Sequence, residues 1–81
     1  MRDRRKLHYS DHFVEDRLKQ RGISRKDVRS AMENADTSYP GSRPKRGNRV
    51  IEGIAPNGRR LCVVVKEKHP HVIVSAWWKE D

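Results

Sequence analysis

The chain has 81 residues, 33% of them hydrophobic and 37% charged, and 19 Lys and Arg against 11 Asp and Glu leave a net charge of +8. That length makes one small domain, 1–81, with a thin core, of a size that is marginal without a partner or self-association. The single cysteine, Cys62, excludes an internal disulfide and a zinc-type cysteine cluster, and no apolar run approaches the roughly 18 residues of a membrane span.

The surplus charge is uneven. Segment 1–6 carries +3, segment 11–36 is neutral, segment 37–66 carries +6 and segment 67–81 carries −1. A balanced stretch joined to an almost purely basic one points to a face aimed at a polyanion, and nucleic acid is the first candidate. A thermophile's ion-pair networks also account for part of such a composition. The basic N-terminus has no apolar stretch behind it, so it is not read as a secretory signal, and the expected location is the cytoplasm.

After the basic tail, 1–6, Leu7-His8-Tyr9 reads as a short edge strand. Ser10 suits an N-cap and Asp11 the first turn of a helix over 11–21, with Phe13, Val14 and Leu18 on one side and Gly22 at the C-cap. Ser24 and Asp27 form a capping-box-like start to a second helix, in which Val28, Ala31, Met32 and Ala35 recur at the helical period. Residues 37–48 contain Pro40, Gly41, Pro44 and Gly47 and read as a mobile basic loop. Strands are expected over 49–55, 59–66 and 71–78, the first two joined by a turn at Pro56-Asn57-Gly58. In the last strand Val72, Val74, Ala76 and Trp78 should face one way and Ile73, Ser75 and Trp77 the other. The expected fold is α+β, two N-terminal helices on one face of a small antiparallel sheet of three to four strands, in the order β-α-α-β-β-β.

The other face of that sheet is where Arg, Lys and His would meet a ligand. No Gly-rich phosphate loop or dinucleotide fingerprint is present, and no cofactor is expected. The pairs His8/His12 and His69/His71 lack the carboxylates or thiols that complete a metal site, and they read as incidental. RNA cleavage without metal is within chemical reach: it needs a base, an acid and cations for the charge at phosphorus. His12 is the leading acid or base candidate, or else a polar residue of a helix N-terminus. Arg17 and Arg21 share a helical stripe, either for phosphate or for surface pairing with acids such as Asp16. Arg49, Arg59 and Lys66 lie on strands, for phosphate contact or for edge protection. Trp77, Trp78 and Tyr39 are candidates for core packing, base stacking or a partner interface.

Ser10-Asp11-His12, Arg17, Arg21-Gly22-Ile23-Ser24 and Asp27-Val28 resemble the opening of the family called domain of unknown function 4258. Gly58-Arg59-Arg60-Leu61-Cys62-Val63-Val64-Val65 and Val72-Ile73-Val74-Ser75-Ala76-Trp77 resemble its closing strands. That family is similar to the RelE, ParE and BrnT toxins of toxin–antitoxin pairs. The resemblance implies a RelE-like fold and an RNase-toxin-like protein, a metal-independent endoribonuclease. His12, Arg17, Arg21 and Arg59 would be catalytic. Arg43, Lys45, Arg46, Arg49, Arg60, Lys66 and Trp77 would contact RNA, free or as ribosome-bound mRNA. The other partner implied is an acidic antitoxin, while the thin core leaves room for a second copy of the chain and the hydropathy gives no membrane. The alternatives are a non-catalytic RNA- or ribosome-binding module and a ParE-like protein-interaction toxin, because a fold does not fix a function.

Overall fold

The computed structural model describes residues 6–41 and 47–79, apart from the side chain of His12. The order is β1 (His8–Tyr9), α1 (His12–Gln20), α2 (Arg25–Glu33), β2 (Ala35–Pro40), β3 (Asn48–Ile54), β4 (Arg60–Lys66) and β5 (His69–Trp78). The strands form one sheet in the order β1-β5-β4-β3-β2. All neighbours are antiparallel except β1 and β5, which run parallel. The α+β class and the two helices stand as expected. The sheet is mixed and five-stranded, where a three- or four-stranded antiparallel one was anticipated.

The helices form where local chemistry satisfies their free ends. Asp11 caps α1, its side chain accepting from the amides of Phe13 (2.8 Å) and Val14 (3.2 Å). Ser10, the expected cap, instead donates its amide to the Ile73 carbonyl at 2.8 Å and prolongs the β1–β5 pairing. At the other end Ile23 N–H bonds to Leu18 O and Gly22 N–H to Lys19 O, with Gly22 at φ 72°, a glycine-terminated Schellman stop. The Ser24–Asp27 capping box opens α2 as the sequence implied. Glu15 of α1 and Arg25 of α2 pair at 2.5 Å and tie the helices together.

Both helices lie on one face of the sheet, α1 over β5 and β1, α2 over β3 and β4. Val14, Leu18, Ile23, Val28 and Ala31 meet Leu61, Val63, Val65, Ile73 and Ala76 in the core. α2 packs tightly on β3 at Gly53. A Cβ there would overlap the carbonyl oxygen of Ala31, so only glycine lets α2 sit this near β3.

Two strand expectations change. Residues 35–40, placed mostly in a loop, form β2, antiparallel to β3, and the remainder of that loop, 42–46, lies outside the described residues. β2 is an edge strand with every residue exposed, so no alternation marks it in the sequence. In β5 the register shifts between Val64–Ser75 and Val65–Ile73, which leaves Val74 as an extra residue. This bulge reverses the facing of the strand, so Ile73, Ala76 and Trp78 all turn toward the helices.

β1 is only two residues long and leaves the C-terminal half of β5 as a free edge. Arg21 closes it: its Nη1 donates to the Ala76 carbonyl at 2.7 Å and to Ser75 Oγ at 3.4 Å. The Trp78 indole N–H returns a bond to the Arg21 carbonyl at 3.1 Å.

Candidate nucleic-acid interface

Strand directions divide the molecule into two ends. β2 finishes, β3 starts, β4 finishes and β5 starts at one end, at the pairs Pro40–Arg49, Asn48–Lys66 and Lys66–His69. The chain enters β1 at the same end, because His8 pairs with Val72 in parallel. The other end carries the β3–β4 turn and the last residues of β5.

At that second end, on the face without helices, Glu52 is 1% exposed. The Tyr39 hydroxyl donates to its Oε2 at 2.6 Å, Arg60 Nε to its Oε1 at 2.9 Å, and Lys79 Nζ to both oxygens at 3.1 and 3.4 Å. Arg60 continues into a forked pair with Asp36 and a 2.9 Å bond to Thr37 Oγ1. Side chains from β2, β4 and the residue after β5 meet on one β3 carboxylate. Donation from Tyr39 and Arg60 holds the Glu52 carboxyl at about 2. The same bond pushes the Tyr39 phenol up to about 12. Cys62, opposite Glu52 in the register, has its thiol pushed up by burial and then by that negative charge. A carboxylate this acidic, buried and fully bonded is a poor general base. The cluster is a structural hub, and its cations are neutralised by Glu52 and Asp36.

The first end is different. It holds Lys6, Arg49, Lys66 and Lys68 against Glu67. Arg49 donates to Ser38 Oγ at 2.6 Å and pairs with Glu67 at 3.3 Å. Stretches 1–5 and 42–46, outside the described residues, join the chain at this end through Lys6, Gly41 and Gly47. Their sequence adds Arg2, Arg4, Arg5, Arg43, Lys45 and Arg46 against Asp3. These residues together account for the entire +8, and the nine bases and nine acids elsewhere cancel.

The cations therefore segregate by end and not by face, which corrects the expectation of one basic face. Arg49 shares the helix-bearing face with Ile51 and Val65, whereas Lys66 shares the open face with Val64, following strand alternation. Of the residues anticipated for RNA contact, Arg49 and Lys66 lie at the cationic end. Arg43, Lys45 and Arg46 lie outside the described residues, and Arg60 belongs to the hub. Trp77, 39% exposed on the open face, is roughly 25 Å along β5 from His69 at about 3.3 Å per residue.

The anticipated catalytic set divides as well. Arg21 braces the β5 edge, Arg59 lies 4.5 Å over the Trp78 ring, and Arg17 is exposed on α1 one turn before Arg21. His12 begins α1, about 13 Å of helix rise from Arg21 at the usual 1.5 Å per residue, and its side chain lies outside the description.

The structure assembles a group that the sequence left scattered. The rings of His8 and His71 are 5.8 Å apart, and those of His69 and His71 are 6.0 Å apart, both edge to face. All three stand at the cationic end. Among the described residues no group of three His, Cys, Asp or Glu is arranged to hold a metal ion. The 69–71 spacing is visible in the sequence; His8 joins only through the parallel β1–β5 register.

Residues 9–78 match the family described as domain of unknown function (DUF4258). The chain belongs to that family. The match takes in the hub, except Lys79, and two of the clustered histidines, while His8 lies just before it. No curated protein and no solved structure matches the chain.

Proposed function

We propose that this protein is an RNA-directed, RNase-toxin-like protein that holds RNA at its cationic end. The observation that carries the reading is that Lys6, Arg49, Lys66 and Lys68 stand with Glu67 at the end where the sequence of 1–5 and 42–46, which adds six bases against Asp3, joins the described chain. A duplex or single strand of RNA presents a regular row of phosphates, and neutralising it releases counterions, which favours binding whatever the base sequence. The clustered imidazoles at the same end favour cleavage over simple binding, since histidine moves protons near neutral pH. The same end suits the acidic segment of an antitoxin, which would compete with RNA for it. Trp77, remote from this end, is assigned no part in the reading.

The test is titration of the purified chain against a labelled RNA of about 20 nucleotides over a range of salt, followed by mapping of RNA ends with and without chelator. The expected result is an affinity that falls steeply with salt, and cleavage that chelator leaves unchanged. An affinity insensitive to salt, or none, would remove the reading.

A further inference from the structure

We propose that His8, His69 and His71 form one acid–base site for RNA phosphodiester transfer, with His8 and His69 as catalytic residues and His71 positioning them. The proposal rests on RNA occupying the cationic end. His8 and His69 are exposed, and His71 lies between them, edge to face with each. The His71 Nδ1 is buried with no hydrogen-bond partner among the described residues. A buried ring nitrogen without a partner is costly unless something is gained by keeping it. The imidazoles of His8 and His69 stand on either contact of that ring, and both are exposed.

The surroundings suit a phosphodiester. Lys66 lies across the strand pair from His69, and Lys68 and Glu67 form the turn beside it. On the β1 side, Lys6, Tyr9, Asp11, Glu15 and Arg25 border the groove at His8, and Glu15 is already paired with Arg25. Lys6, Lys66 and Lys68 therefore stand at this end without a carboxylate partner among the described residues.

In the reaction, a neutral imidazole of the exposed pair takes the proton of a ribose 2′-hydroxyl. The 2′-oxygen bonds to the adjacent phosphorus and the bond from phosphorus to the 5′-oxygen breaks. The other member, protonated, gives its proton to that 5′-oxygen. The products are a 2′,3′-cyclic phosphate and a 5′-hydroxyl, and the lysines offset the charge that builds on phosphorus. No metal or cofactor enters the balance.

The experiment uses the full chain and a defined RNA, with chelator present, from pH 5 to pH 9. The intact protein should leave cyclic phosphate ends with a bell-shaped dependence of rate on pH. His8→Ala and His69→Ala should each slow cleavage by about a hundredfold or more, with RNA affinity at pH 7.5 kept within about threefold. His71→Asn should move the pH profile, whereas a packing role alone would lower the melting temperature and leave the profile in place. Undiminished cleavage by the His8→Ala/His69→Ala double variant overturns the site. So does a protein that binds RNA and never cuts it, although RNA binding at the cationic end survives that result. Absence of RNA binding by the intact protein overturns both.

Discussion

At one end of the sheet Arg60 and Lys79 converge on Glu52; at the other, Lys66 and Lys68 meet no carboxylate among the described residues. The difference lies in what the cations are for. In the hub every charge has a partner, and the gain is a fixed arrangement of β2, β3, β4 and the chain after β5. A buried carboxylate is tolerated only with such a set around it. At the cationic end like charges accumulate on strand ends and connections, which opposes folding slightly and favours capture of a polyanion. On the proposed reading, stability and binding fall to opposite ends of one small sheet.

That division can be broken from the hub first. Gly53→Ala, one residue along β3 from Glu52, forces a methyl group into the Ala31 carbonyl and should cost about 3 kcal/mol or more, read as a large drop in melting temperature. Glu52→Gln should cost about 3 kcal/mol by leaving Arg60 and Lys79 without their charge partner, read by denaturant unfolding. Because folding lowers the Glu52 carboxyl from 4.5 to about 2, its contribution is complete above pH 4.5 and is lost as pH falls toward 2. Acid unfolding should therefore be delayed in the native chain, and Glu52→Gln should flatten the pH dependence across that window. Tyr39→Phe removes one hydrogen bond to the same carboxylate and should cost about 1.5 kcal/mol. Lys66→Ala with Lys68→Ala should leave stability within about 0.5 kcal/mol. A stability loss from this pair as large as that of Glu52→Gln would erase the distinction between the two ends.

Features governed by neighbours in the chain were legible before the fold was known. The Ser24–Asp27 box, the Gly22 stop and the Val28–Ala31 stripe each depend on residues within one or two turns. β2 was hidden because Ala35–Pro40 is polar and wholly exposed, and its partner, β3, lies beyond the following loop. The facing of β5 was misread because the Val74 bulge is set by pairing with β4. Glu52 is the lone acid in 37–66, but its partners Tyr39, Arg60 and Lys79 come from three other segments. The uneven charge was plain in the sequence. Its gathering at one end required the strand directions, as did the meeting of His8 with His71.

The measurement that bears most directly on the division is the salt dependence of RNA affinity for three proteins: the native chain, Lys66→Ala/Lys68→Ala and Tyr39→Phe. Each lost phosphate contact should lower the slope of log affinity against log salt by nearly one. The account predicts a slope reduced by about two for the lysine pair and an unchanged slope for Tyr39→Phe. Equal slopes for the native chain and the lysine pair would contradict it.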